Sequence, residues 1–235
     1  MKNFIKSILP KGIMVIPLAL ALSWNLVTYY GTRLFTSDMR HINAEIFLDS
    51  SIPFVPWTAI FYLSCYLFWA VNYVIGCNRD REEAFRFISA DFLAKTVCLL
   101  CFVFFPTTNT RPDITGTGIW DNVMRSVYTA DAADNLFPSI HCLTSWFSFI
   151  AVRKNKAVPK FYIIFSLLYA LAVCVSTLTT KQHVIIDMVG GVLLAEASYF
   201  IVKVTRFSYM YEKVITFINS KLARVVISRD GRSDV

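Results

Sequence analysis

Charge is scarce in this chain of 235 residues, where Asp, Glu, Lys and Arg together make up 17%, against about a quarter in soluble globular domains. That shortage and its counterpart, a hydrophobic share of 56% with 20 Phe, exclude an ordinary water-soluble fold. Histidine is rarer still: His41, His141 and His183 are the whole supply, so imidazole chemistry is confined to three positions. Internal repeats and low-complexity stretches are absent, which excludes a repeat architecture. The six cysteines form no disulfide framework, because Cys65, Cys98, Cys101 and Cys174 fall inside apolar runs and Cys77 and Cys142 at their ends. "CLLC" at 98 to 101 has metal-like spacing but no thiolate or imidazole partner in its apolar run, so packing is expected there and no metal.

What is present is membrane-length hydrophobicity. A hydrocarbon core of about 30 Å takes about 20 apolar residues in a helix, and six segments approach that length, at 13–30, 52–76, 85–106, 139–152, 159–178 and 183–204. The expectation is an all-α, polytopic membrane protein of six transmembrane helices. The fourth segment is short, so its helix is expected to start near Pro138 and extend into the basic loop after Arg153. The first follows Lys2, Lys6 and Lys11 and contains "ALALS", which is similar to a signal-peptide cleavage site, but its apolar run is long for a signal peptide and reads as an uncleaved span.

Lysine and arginine orient these spans. With a cytoplasmic N-terminus, 17 of the 23 cationic residues lie inside and five outside, namely Arg33, Arg40, Arg111, Arg125 and Lys181, while Lys95 sits within a span. This is the positive-inside pattern. The net charge of +7 then reads as topology and attraction to anionic lipid, with the bilayer as partner and no nucleic acid. Residues 1–205 form the expected six-helix transmembrane catalytic domain, and 206–235 a cytoplasmic amphipathic basic tail. In that tail Phe207, Met210, Tyr211, Val214, Ile218, Leu222 and Val225 fall at helical spacing opposite Lys213, Lys221 and Arg224, the pattern of a surface-lying helix. The longest polar piece is the outer loop 107–137, with Arg111, Arg125 and four aspartates.

Two polar clusters stand at outer span ends, "NLFPSIH" before the fourth and "TKQHVIID" at the sixth. Both helices run inward from there, so their free N–H groups and the positive ends of their dipoles face one surface and favour an anion, phosphate above all. Ser139 is placed to cap the first helix, and its hydroxyl is free to donate to a phosphate oxygen. His183 and Asp187 are four apart and share a helix face, so the carboxylate can hold the Nδ1 proton and leave Nε2 as a nucleophile. An ionisable residue within the bilayer is costly unless it serves a purpose. Gly190 and Gly191 permit close helix approach. Each feature has a structural reading too: a helix-start histidine beside a cap, or a His–Asp pair bonding neighbouring spans.

Taken together, "RP" at 111–112, "PSIH" at 138–141 and "STLTTKQHVIID" at 176–187 resemble the three signature blocks of the type 2 phosphatidic acid phosphatase superfamily, the lipid phosphate phosphatases related to vanadium haloperoxidases. The resemblance covers about residues 50 to 204 and agrees with six spans. It implies that His183 attacks phosphorus to form a phosphohistidine, Asp187 orients it and His141 protonates the leaving alkoxide. It further implies that Arg111 and Ser139 hold the phosphoryl oxygens, with no metal and no cofactor. Two cations of the family pattern are missing: Phe104 stands where the first block has a lysine and Thr177 where the third has an arginine. Lys181 is the obvious substitute and Arg125 a weaker one. Lys95 lies about 15 Å below Pro106 along a helix, and Asp91 four residues before it reads as its ion-pair partner. Trp57, Trp69, Trp120 and Trp146 read as interface anchors or packing.

The reduced cation set is similar to the branch containing inositol phosphorylceramide synthases, which pass a phosphohead group to an alcohol. The expected function is an integral membrane lipid phosphatase. A lipid phosphotransferase is the alternative, and a non-catalytic lipid-binding or transport protein the competing class. The substrate would be a phospholipid or an isoprenoid or sphingolipid phosphate, met at an extracytoplasmic active site in a plasma membrane with both termini cytoplasmic. Oligomeric state has no readable code in the sequence.

Overall fold

The computed structural model describes the backbone of residues 14–230 and side chains as far as residue 221. Lys2, Lys6 and Lys11, and the side chains of Leu222, Arg224 and Val225, lie outside the described residues. Helix α1 (Val15–Leu26) passes through a π stretch (Val27–Gly31) into α2 (Thr32–Thr36). A loop with β1 (Ile42–Asn43) and two 3-10 turns (Phe47–Ser51, Pro56–Thr58) leads to α3 (Ala59–Cys77) and α4 (Arg81–Phe104). Then come β2 (Thr107–Thr108), α5 (Ile119–Ala130), α6 (Ile140–Arg153), α7 (Lys160–Thr179), α8 (Ile185–Val204) and α9 (Phe207–Asp230).

The architecture is helical as expected, with one addition: β1 and β2 pair in parallel, Ile42 opposite Thr107, and clip two loops together at one end of the bundle. Among the described residues, four helical stretches are long and apolar enough to cross a membrane, Pro56–Cys77, Arg81–Phe104, Lys160–Thr179 and Ile185–Val204. They carry exposed Leu67, Phe161, Leu168, Leu193 and Phe200, a surface compatible with lipid rather than water. Helix α6 has 14 residues, about 21 Å at 1.5 Å per residue. It is the central element, packed by α3, α4, α7 and α8, and its Phe147, Leu143 and Ile150 are buried with Phe85, Phe87 and Phe102 of α4.

The expected extension of this helix into the basic loop does not occur. Arg153 is the last helical residue, its guanidinium held by Glu196 of α8 at 2.9 Å. Asn155 then turns the chain through its side chain, which accepts from Ala157 N at 3.0 Å, and an Asx turn of this kind competes with helix continuation. Helix α9 also differs from a helix lying free on the surface. Phe207, Tyr211 and Ile215 dock on the core, with the Tyr211 ring 5.5 Å from Phe92 of α4, while Met210, Val214 and Phe217 stay exposed.

Helix directions collect the N-termini of α3, α6 and α8, the C-termini of α4 and α7, and the loops 37–58 and 105–139 at one end. Arg79, Arg81, Lys154, Lys156 and Arg206 stand at the other end.

Candidate active site

The site is assembled where α6 and α8 begin. Ser139 caps α6 by accepting from Cys142 N at 3.3 Å, and its own amide donates to the Asp187 carbonyl at 3.0 Å, so the two helix starts are bonded to each other. The turn ahead of α8 places Lys181 at φ 53°, a left-handed conformation uncommon outside glycine. This lets the amides of Gln182 and His183 both donate to the Thr177 carbonyl at 3.0 Å. Thr177 thus supports the histidine turn through its backbone.

Asp187 is fully buried, and its Oδ2 faces both His183 Nδ1 at 3.4 Å and the Val184 amide at 3.1 Å. The imidazoles of His183 and His141 lie 5.9 Å apart between centroids, each less than a tenth exposed. Tyr62 of α3 stacks on His141 at 4.3 Å and 25°. Among the described residues, His141 Nε2, Asp187 Oδ1 and Arg111 Nε are buried side-chain atoms with no hydrogen-bond partner.

Arg111 is held in place by three groups. It donates to the Asp131 carbonyl at 2.5 Å and to Gln182 Oε1 at 2.8 Å, and its guanidinium carbon lies 4.7 Å from the centre of the Tyr128 ring. Arg111, Lys181, His183, Asn109 and Thr110 form the polar side of one cavity of about 310 Å³, together with Glu45 and Asp49, and Ile52, Phe54 and Leu178 form its apolar side; Lys181 Nζ donates to the Asp49 carbonyl, 2.9 Å away. A permanent planar cation, a flexible one and an imidazole around one cavity suit a phosphoryl group.

The free N–H groups expected at both helix starts are not found at α8. The first amides at α8 are not free, since Val184 N bonds Asp187 and Ile185 N donates to Asp49 Oδ1 at 2.9 Å. Positive charge at that end is answered from within the protein by Asp187 and Asp49. Of the other cations, Arg125 is committed to the carbonyls of Ile114 and Gly116 at 2.9 Å each, and Lys95 bonds Asp91 at 3.0 Å, as expected for an internal pair. Phe104 is exposed at the end of α4. Trp69 donates to Ser145 at 2.9 Å and Trp146 to Glu196 at 2.7 Å, whereas Trp57 is exposed.

Two contributors passed unremarked in the sequence. Gln182 is buried beside Arg111, within the quoted "TKQH". Asp131 accepts from the hydroxyl of Tyr62 at 2.8 Å, from that of Tyr29, and from Arg33 at 3.1 Å, while its carbonyl holds Arg111. Burial alone would raise its pKa, but the Tyr29 hydroxyl, the nearby His141, the Tyr62 hydroxyl and the Arg33 charge together outweigh burial and hold the Asp131 carboxyl below its ordinary value. One loop residue therefore touches both the ring that stacks on His141 and the guanidinium beside His183.

Gly191 sets the spacing of the whole arrangement. A Cβ there would stand 2.5 Å from the Ser139 carbonyl and 3.2 Å from Leu143 N, both backbone atoms. Gly191→Ala is expected to push α6 from α8, and a misplacement of about 1 Å costs roughly 100-fold in rate. Gly31→Ala, with 3.5 Å to its nearest neighbour, is the control and should be near neutral in the same turnover assay.

No curated protein and no solved structure matches the chain. The family model described as PAP2 superfamily matches residues 32–201, well over half of its length. The histidine pair, its aspartate and the arginine at the converging helix ends all fall within the matched region, and the chain belongs to the PAP2 superfamily, whose members are generally phosphatases or phosphotransferases.

Proposed function

We propose that this protein is an integral membrane lipid phosphatase that works through a phosphohistidine on His183. The observation that carries the reading is the His183–Asp187 pair at 3.4 Å, with the His141 ring 5.9 Å away and Arg111 and Lys181 lining the cavity of His183. Asp187 accepts a hydrogen bond from Nδ1–H, which fixes the tautomer and leaves the Nε2 lone pair to attack phosphorus. His141 gives a proton to the departing lipid alkoxide, which leaves as an alcohol, and water then cleaves the P–N bond to release phosphate. Arg111, Lys181 and Ser139 stabilise charge on the phosphoryl oxygens, the main demand of phosphoryl transfer. A protein that only bound or transported phosphorylated lipid would need cations and donors but no oriented imidazole, so the non-catalytic class is the weaker reading.

One observation favours transfer to an alcohol as a second reading. The polar cavity at His183 is about 310 Å³ and extends past the two cations to Asn109, Thr110 and Ser50, groups suited to hydroxyls of an acceptor. In both readings the chain crosses a plasma membrane six times, with α1 and α6 as the two spans beyond the four long ones. Both termini are cytoplasmic, residues 1–205 form the catalytic domain, and 206–235 lie against the inner surface. The cationic residues at the end opposite the site support this orientation. The substrate is a phospholipid or an isoprenoid or sphingolipid phosphate.

The test is to give the purified protein a panel of phosphorylated lipids, with and without inositol or glycerol. Phosphate release, or head-group exchange dependent on the alcohol, is expected for at least one lipid, with acid-labile label on the protein during turnover. Inactivity across the panel in a correctly folded sample would overturn the reading.

A further inference from the structure

His183 lines the cavity of Arg111 and Lys181, and His141 lines a different one. This second cavity of about 210 Å³ is walled by Tyr29 of the π stretch, by Tyr62, Tyr66 and Trp69 of α3, and by Asp131. Below it lies a third cavity of about 360 Å³, lined by Leu18, Ala21 and Leu22 of α1, Ala70 and Tyr73 of α3, and Lys95. Asn25, Tyr66 and Trp69 line both, so the two are parts of one crevice.

Its walls are helical stripes. On α1 and the π stretch that follows it the lining positions 18, 22, 25 and 29 repeat at helical spacing, and on α3 so do 62, 66, 69 and 73. Positions 62 to 74 cover about 18 Å of helix, slightly more than half of a hydrocarbon core of about 30 Å. The crevice is therefore about as deep as one leaflet. It exists because α1 packs mainly against α4 and only lightly against α3. Its floor is the Lys95–Asp91 pair at 3.0 Å, with the Tyr73 hydroxyl on Asp91 at 2.6 Å. Its upper end meets His141, whose buried Nε2 has no partner among the described residues.

We infer that this crevice between α1 and α3 binds one hydrocarbon tail of the lipid substrate, so that the lipid-side oxygen meets His141 while the phosphoryl group faces His183 and the polar cavity. The inference rests on the proposed lipid phosphatase reading and adds the place and direction of the tail. Apolar lining of the lower part by Leu18, Ala21, Leu22 and Ala70, depth of one leaflet and continuity with the imidazole that protonates the lipid oxygen all fit a chain attached to that oxygen, with the polar groups Asn25, Tyr66 and Asp131 at the upper end nearest that oxygen.

Two measurements on the full-length protein in lipid nanodiscs test it. Phosphatidic acid bearing a diazirine within one acyl chain should label peptides of α1 and α3, at Ala21, Leu22, Tyr66 or Ala70. Label confined to the outer faces of α7 and α8, such as Phe161 or Leu193, would overturn the assignment. Ala70→Trp and Leu22→Trp should each lower the ratio of kcat/KM for long-chain over short-chain phosphatidic acid by about tenfold, the equivalent of roughly two methylene contacts. Label in the crevice with an unchanged ratio would mean a bystander lipid and overturns the inference as well. An active enzyme labelled elsewhere sinks the crevice alone, whereas wild type inactive on every phosphorylated lipid sinks the reading beneath it.

Discussion

His183→Ala is expected to remove turnover, with phosphate release falling by about 10⁴-fold or more, because a nucleophile acting with its partners as a unit is lost entirely. The variant should still fold. Asp187 keeps the Val184 amide at 3.1 Å, and the His183 backbone amide keeps the Thr177 carbonyl at 3.0 Å. Lipid phosphate should still bind, since Arg111 and Lys181 are untouched, so KM or a direct binding constant changes far less than kcat. Asp187→Ala alone should cost less turnover, and His183→Ala with Asp187→Ala no more turnover per folded molecule than His183→Ala, since Asp187 serves the chemistry through the imidazole and its bond to the Val184 amide serves the fold. Retention of a tenth of wild-type turnover by His183→Ala would eliminate the covalent mechanism.

The second large effect is on stability and lies well below the site. Asp91 and Lys95 are one turn apart on α4, 0% and 3% exposed, and joined at 3.0 Å. Asp91 also accepts from Tyr73, and the lysine ammonium lies 5.3 Å from the Tyr73 ring centre. Lys95→Met leaves a carboxylate in an apolar bundle with one hydroxyl, and breaking a buried pair in this way costs roughly 3–5 kcal/mol. A melting midpoint about 10 °C lower is expected in detergent. Because replacing both charges by apolar groups is often neutral, Asp91→Leu with Lys95→Met should recover part of the loss, and adding Tyr73→Phe should recover more by removing the orphaned hydroxyl. A double variant as unstable as the sum of its parts would show that the two residues act separately.

What was legible in the chain follows from periodicity and local spacing. Runs of apolar residues long enough for a bilayer became α3, α4, α7 and α8. His183 and Asp187, four apart, met as i and i+4 geometry requires, and Asp91 and Lys95 met for the same reason. Ser139 before an apolar run became the cap of α6. The length of α6 was less legible, because a helix surrounded by other helices needs no membrane-length apolar face, and its end is set by Glu196 from α8 and by an Asn turn.

The residues that complete the site come from far apart in sequence, where spacing carries no signal. Asp49 reaches Ile185 across 136 residues, Arg33 reaches Asp131 across 98, and Arg111 reaches Gln182 across 71. Local sequence could not tell which carboxylate would occupy the α8 helix end, nor which of the four outer-loop aspartates would hold Arg111.

From the order of its residues alone this protein is committed to apolar helices, to two histidines at helix starts and to an aspartate one turn from one of them, because backbone geometry turns spacing into proximity within a helix. Only the packed bundle decided that those two helix starts would be bonded together through Ser139 and Asp187, that the rings would lie 5.9 Å apart, and that a gap between α1 and α3 would open beneath His141. Those relations depend on how side chains such as the missing Cβ of Gly191 let helices approach, and approach distance is a property of two surfaces rather than of either sequence segment.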